Sequence, residues 1–351
     1  MKAITVFRMI LFGAIIYVTQ IIASVCIILV VLCTLIFVVS GGCRSETSYY
    51  KPNWKAKDYF EDSKEIALCK AINRSDIAEI DRLIDGGVDV NKKGKGGMTF
   101  LLWAYPTGET SFKRILEHGG DPNVVYERDF GYRTNDHKLQ PGDTLIFLVI
   151  NSTRGPRSRY TKYKKQFENY IQLLIDHGAN IDFQRKHMNH TPLHWATFCH
   201  NRQAIRQLVE AGADLNLQES TVGGTPLMSA PIPCLETILL LLEAGTDYRI
   251  VGRYNQTIAH VVARYATIPA QHTPQNQVYY DKVVAWLADR GISVQRAGAQ
   301  TLAWETRATA GRQLSLKEIY RDDIPEGSQA PPPGPSTLTK EQWDEYVNNA
   351  P

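Results

Sequence analysis

The sequence predicts an all-α repeat protein behind a long apolar N-terminal segment. Apolar residues recur seven, four and three positions before a glycine, a spacing that places them on one side of an α-helix. A second pattern, threonine followed by proline or an apolar residue, marks helix starts, and its two clearest copies begin at Thr191 and Thr225. One such unit cannot bury its own apolar side, so we expect the units to stack into one continuous core.

Both motifs of the unit, the glycine turn and the threonine helix start, have a physical explanation. Glycine suits the left-handed backbone that ends many helices, threonine caps a helix, and proline is tolerated in the first turn. The predicted turn glycines are Gly87, Gly119, Gly178, Gly212, Gly245 and, in a weaker copy, Gly291. The other predicted helix starts are Thr99, Thr144, Thr257 and Thr301.

These motifs resemble the ankyrin repeat family, whose unit has a period near 33 residues, a TPLH-like helix start and a G-A-D-x-N turn. Thr191-Pro192-Leu193-His194 and Gly212-Ala213-Asp214-Leu215-Asn216 carry the resemblance most clearly. It covers about residues 63–297 and implies an ankyrin-repeat solenoid that binds other proteins.

The patterns divide the chain into four segments. We predict a signal or anchor (1–43), a linker (44–62), an array of about six repeats with a C-terminal cap (63–320), and a proline-rich linker with a short helix (321–351). The spacing between helix starts lengthens to 44, 45 or 47 residues in three places. This predicts inserted loops at about 125–141, 152–168 and 266–280, where binding specificity is usually built.

The apolar segment Met9–Val39 contains 31 residues and no charge, which is long enough to cross a bilayer. Ser40-Gly41-Gly42 before Cys43 resembles a bacterial lipoprotein signal, which implies that Cys43 becomes the lipidated first residue. An uncleaved transmembrane helix is the alternative. Both interpretations predict a membrane-anchored protein, and the bacterial type of anchor implies a body in the periplasm of a Gram-negative bacterium.

Composition and motifs exclude several functions. Beyond residue 43 the chain carries 37 basic and 36 acidic residues, a balance that argues against nucleic acid as the partner. The sequence lacks the common hydrolase, zincin and phosphate-loop motifs, and His194 and His260 are expected to serve the fold. The widely spaced Cys69, Cys199 and Cys234 indicate no zinc or disulfide framework. We therefore predict no enzymatic activity, no metal site and no cofactor.

Candidate partner-binding residues are basic or aromatic, because such side chains dominate binding hot spots. The basic run 154–165 suits an acidic surface on a partner, and the alternatives are a solvated loop, anionic lipid head groups or RNA. For the aromatic residues at helix starts, the alternative is core packing, which we expect for Trp195. The candidates are Tyr132, Arg133, Arg157, Arg159, Tyr160, Lys162, Trp103 and Tyr105.

A narrower resemblance concerns function. Residues 97–106 (GMTFLLWAYP) and 141–144 (PGDT) are similar to ankyrin proteins encoded beside type VI secreted lipase effectors. That resemblance implies an immunity protein that binds and neutralises a secreted phospholipase. The alternatives are a periplasmic ankyrin scaffold or adaptor in an envelope or stress-response complex, and an adaptor on a lipid surface.

Overall fold

The computed structural model describes residues 53–130, 133–134, 137–152, 161–186, 188–230, 234–252, 256–268, 272–299 and 339–348. The chain divides into two compact units, Met1–Tyr50 and Lys51–Pro351, and all described residues belong to the second. The apolar segment and Cys43 therefore lie outside the described residues. Within the described ranges, no helix combines the length and hydropathy that a membrane span requires.

The second unit is built from pairs of short helices. They are α1 (Ser63–Arg74), α2 (Ile77–Asp85), α3 (Phe100–Ala104), α4 (Glu109–Glu117), α5 (Leu145–Ser152), α6 (Thr161–Asp176), α7 (Pro192–Phe198), α8 (Arg202–Glu210), α9 (Leu235–Glu243), α10 (Ile258–Tyr265), α11 (Pro274–Ala288), α12 (294–299) and α13 (Lys340–Asn348). Short 3-10 helices cover Ala56–Asp58 and Lys95–Gly97. Strands β1 (Arg133–Thr134) and β2 (His137–Lys138) pair antiparallel, with Arg133 opposite Lys138.

Packing follows the repeat. The helices of each pair contact each other, in α1 with α2, α3 with α4, α5 with α6, α7 with α8 and α10 with α11. Second helices also stack on the next second helix from α2 through α4 and α6 to α8, and first helices do so in α1 with α3 and α5 with α7. The predicted stacked helical core is confirmed.

The predicted helix ends are confirmed at all six turn glycines. Each has a positive φ, from 77° at Gly291 to 98° at Gly245, which a residue with a Cβ adopts only at a cost. The predicted helix start at Thr225 is wrong, because residues 226–229 form only a turn. Pro231 follows after Ala230, and a proline disfavours helical backbone in the residue before it.

Two of the predicted loops are partly helical. Helix α6 begins at Thr161 inside the stretch 152–168, and α11 begins at Pro274 inside the stretch 266–280. No glycine or proline interrupts 161–176, and lysine, glutamine and leucine there favour a helix. These insertions therefore lengthen the second helix of a pair as well as the loop before it.

Hydrogen bonds between neighbouring loops explain the Asn and Asp residues of the turn motif. Asn91 Nδ2 donates to the carbonyl of Gly119 at 2.8 Å, and Asn91 Oδ1 accepts from the amide of Asp121 at 2.7 Å. Three further side chains accept from a backbone amide of the next loop in the same way. The pairs are Asn123 with the amide of Asn180 (2.6 Å), Asp182 with the amide of Asp214 (2.9 Å) and Asn216 with the amide of Asp247 (2.8 Å). We call this series the loop ladder.

The TPLH-like histidines serve the fold, as predicted. His194 is fully buried; its Nδ1 accepts from Thr191 N at 3.2 Å, and its Nε2 lies 3.1 Å from the carbonyl of Gly224 in the next loop. His260 makes the same capping contact with Thr257 N at 3.1 Å. His194 thus joins its own helix start to the following repeat.

Candidate protein-binding surface

Exposed apolar side chains are few in the described residues, and most of them lie on the loops. Large apolar residues that are exposed there comprise Val125, Met188, Phe198, Val222 and, on α11, Val278. Met188 and Val222 lie on loops, and Phe198 ends α7. We call these three residues the fingertip surface, and the contacts of its two loops are described next.

The two loops of the fingertip surface touch each other. The amide of Ser220 donates to the carbonyl of Met188 at 2.8 Å. Met188 and Asn189 have φ values of 69° and 54°, a left-handed backbone that is unusual for residues other than glycine. The backbone closes this loop: the amide of Arg185 donates to the carbonyl of His190, and the amide of Asn189 donates to the carbonyl of Arg185, each at 3.1 Å. These bonds hold the strained conformation, which is a frequent feature of binding sites.

A buried carboxylate fixes the second loop. Glu219 is 4% exposed and accepts from the amides of Thr221, Val222 and Gly224 at 2.6, 2.7 and 3.1 Å. Burial alone would raise the pKa of Glu219, but hydrogen bonds from the Thr221 hydroxyl and from the three amides outweigh it and hold the pKa below its usual value. The carboxylate therefore stays charged at neutral pH and presents Val222 in one position.

A buried arginine supports the rest of the surface. Arg185 is 5% exposed, with its guanidinium 4.5 Å from the ring centre of Trp195 and 3.6 Å from a carboxylate oxygen of Asp143. Trp195 in turn stacks on Phe198 at 5.4 Å. Burial raises the pKa of Asp143, and the charge of Arg185 opposes that rise. The exposed Phe198 thus lies on a layer of packed aromatic and charged side chains.

This arrangement suits binding rather than chemistry. An exposed methionine and valine on two neighbouring loops, with an exposed phenylalanine at the end of α7, offer apolar anchors to a partner. Among the described residues, no group of three or more histidine, cysteine, aspartate or glutamate side chains could hold a metal ion.

Only two of the eight predicted binding side chains are placed by the structure, and both belong to the core. Trp103 is 2% exposed and donates from Nε1 to the carbonyl of Cys69 at 3.2 Å, while Tyr105 is fully buried against Tyr170. Neither ring is available to a partner, since both fill the space between repeats. Trp195 is also buried, as expected.

The other six predictions remain untested. Tyr132, Arg157, Arg159 and Tyr160 lie outside the described residues, and only the backbone of Arg133 (in β1) and of Lys162 (in α6) is described.

Sequence reasoning missed the fingertip surface. Its one available signal is a single large apolar residue within a polar loop, as in KHMNH around Met188 and STVGG around Val222. That signal is weak, because isolated exposed apolar residues are common.

Comparison with known proteins identifies the repeats. The family model for ankyrin repeats matches residues 162–252 in three copies, so the chain contains ankyrin repeats, and the predicted class is confirmed. This match includes α8 and both loops of the fingertip surface. Ankyrin repeats generally form non-enzymatic scaffolds that bind proteins.

The curated relatives share these repeats and differ in function. The chain is 30% identical to the mitochondrial disaggregase of Bos taurus over 145 residues, 38% of this chain and 21% of that protein. It is 29% identical to a putative ankyrin repeat protein of Rickettsia felis, over 41% of this chain and 40% of that protein. It is 25% identical to the NF-kappa-B inhibitor cactus of Drosophila melanogaster, over 40% of this chain and 29% of that protein. The chain thus spans two fifths or less of the length of these relatives.

Proposed function

We propose that this protein binds another protein through the fingertip surface. The supporting observation is that Met188 and Val222, both exposed, lie on loops joined by a direct hydrogen bond and held by the buried Arg185 and Glu219. Because these loops are already ordered, a partner loses little free energy in fixing them on binding. The ankyrin repeats beneath them supply a rigid support.

The test replaces one apolar anchor at a time. Met188→Asp and Val222→Asp should each weaken partner binding at least about 30-fold, the effect of a hot-spot loss of about 2 kcal/mol. The partner is first recovered from detergent-solubilised envelope with the full-length protein, and its affinity for each variant is then measured. Val278→Asp is the matched control, since Val278 lies on α11 and is 52% exposed, more than Val222 at 43% and Met188 at 39%. Undiminished binding by both loop variants would contradict the proposal.

We further propose that the partner is a type VI secreted phospholipase and that the protein is its immunity protein, anchored in the envelope with its body in the periplasm. Support comes from the resemblance of residues 97–106 and 141–144 and from the apolar segment Met9–Val39. Residues Phe100–Tyr105 are buried, so that resemblance concerns the scaffold, and we assign contact with the lipase to the loops. Anchoring the protein beside the lipids that a phospholipase attacks would raise its effective concentration there.

A competition experiment distinguishes this proposal from the scaffold alternative. Cells that lack the gene should be killed by siblings with an intact secretion system, and the wild-type gene should restore survival. A Met188→Asp, Val222→Asp double variant should restore it poorly, and Val278→Asp should restore it fully. If deletion leaves survival unchanged and no lipase is recovered with the protein, an envelope scaffold or adaptor is the better explanation.

A further inference from the structure

Helix α13 packs on α8 although the two are far apart in sequence. Trp343 is only 1% exposed. Asp344, the next residue, places Oδ1 2.5 Å from Nη1 of Arg206, whose Nε also pairs with Glu210 at 3.0 Å. We call the side of α8 that carries Arg206 and Glu210 the Arg206 face.

The Arg206 face differs from the matching side of an earlier repeat. Lys113 stands six residues before its turn glycine, as Arg206 does, yet the Lys113 side chain is 53% exposed and that of Arg206 is 18% exposed. One position on, Arg114 is half-buried, whereas Gln207 is buried. Helix α13 packs on α8, and we attribute the greater burial of Arg206 and Gln207 to this contact.

Helix α13 also has a complete helix start of its own. The amide of Gln342 donates to Thr339 Oγ1 at 3.3 Å, and Gln342 Oε1 accepts from the amide of Thr339 at 2.7 Å, which is a reciprocal capping box. A helix of nine residues is nevertheless only marginally stable alone in water. Its order in this structure therefore depends on the contact with α8.

We propose that the Arg206 face is a helix-binding site and that α13 is its tethered, releasable occupant. Recognition requires an aromatic residue, Trp343, followed by a carboxylate, Asp344, that reaches Arg206. Among the described side chains of α13, one buried ring and one half-exposed ion pair offset the entropy of ordering nine residues only in part, which makes release accessible. The intervening sequence 300–338, which includes Pro331-Pro332-Pro333-Gly334-Pro335, tethers the helix and raises its local concentration. This site is separate from the fingertip surface and does not depend on its function.

The first measurement is amide hydrogen exchange of residues 340–348 in the full-length protein. Wild type should show protection, and Trp343→Ala should increase exchange at least about tenfold by releasing the helix. Asp344→Lys should also increase amide exchange of residues 340–348, because it breaks the ion pair with Arg206. The double variant Arg206→Asp, Asp344→Arg exchanges the two charges and should recover part of the protection. Lys340→Ala, at an exposed position of the same helix, is the control and should leave exchange unchanged. Exchange in wild-type α13 at the rate of an unfolded peptide would overturn the proposal.

The second measurement supplies the helix in trans. A labelled synthetic peptide of residues 337–351 should bind full-length Trp343→Ala protein, whose site is open, and bind wild type at least about tenfold more weakly because the tethered helix competes. Adding Arg206→Glu to the Trp343→Ala protein should reduce peptide binding, whereas adding Lys113→Glu should not. Equal binding to these two double variants, or no binding to the Trp343→Ala protein, would refute the helix-binding site.

Discussion

Acidification should destabilise the repeats through one buried histidine. Burial lowers the pKa of His194 to about 4 from 6.5, and the hydrogen bond from its ring to the carbonyl of Gly224 opposes that shift only in part. The folded protein thus keeps this ring neutral between about pH 6.5 and 4, where the unfolded chain takes up a proton. The contribution of His194 to the free energy of unfolding is therefore fully present above about pH 6.5 and decreases as the pH falls toward 4.

The size of the effect follows from the two pKa values. The difference in proton binding between the unfolded and the folded state should reduce the free energy of unfolding by about 2 kcal/mol at about pH 5 and by about 3 kcal/mol at about pH 4. These losses are a large part of the stability of an ordinary domain. They are of the order that a single core substitution causes.

The assay is urea unfolding of the full-length protein in non-ionic detergent, followed by circular dichroism at about pH 7 and about pH 5. His194→Gln is the comparison, because all other groups titrate in both proteins. At about pH 7 the variant should be less stable by about 1–3 kcal/mol for its lost buried hydrogen bonds. Wild type should lose about 2 kcal/mol more than the variant on acidification to about pH 5. Parallel losses in the two proteins would show that His194 is not held neutral by burial.

Three further predictions concern the loop held by Glu219, the N-terminal segment and the basic run 154–165. Glu219→Gln should destabilise the loop by about 1–3 kcal/mol and speed amide exchange at 220–224, because an amide cannot accept all the bonds of the carboxylate; unchanged exchange would contradict this. Cys43→Ser should abolish labelling by a fatty-acid probe, whereas an unlabelled, membrane-bound wild type would indicate an uncleaved helix. Reversing the charges of Arg157, Arg159 and Lys162 should slow association with the partner, more at low salt than at high salt, and an unaffected association rate would remove these residues from the interface.

The sequence predicted those parts of the fold that depend on local rules. Turn glycines such as Gly212 were found because a left-handed residue is required where each helix ends, and His194 was assigned correctly because its TPLH context specifies its contacts. The helix predicted at Thr225 does not form, because Pro231 acts a few residues later and overrides a good helix start. Local rules thus failed where a neighbouring residue changed the outcome.

The candidate surface was much less predictable. Trp103 and Tyr105 resemble hot-spot residues by type, and only packing against the neighbouring repeats shows that they are core. Conversely, Met188 and Val222 stand in polar loops whose closeness depends on the stacking of two repeats. Docking of α13 on α8 was equally hard to predict, because it joins Arg206 to Asp344, residues 138 apart in sequence, and buries Trp343 beside that ion pair.

The loop ladder has a consequence for how such a chain can grow. Most of its bonds join residues 28 to 32 positions apart, but Asn123 reaches Gly178 and Asn180 at separations of 55 and 57 with the same lengths, 2.9 and 2.6 Å. Each of these contacts between neighbouring loops is made by a single side chain with one or two backbone groups, and its length does not depend on how much chain runs between the loops. New sequence can enter between two of these bonds while every other repeat keeps its place, so that recognition elements can be lengthened one at a time.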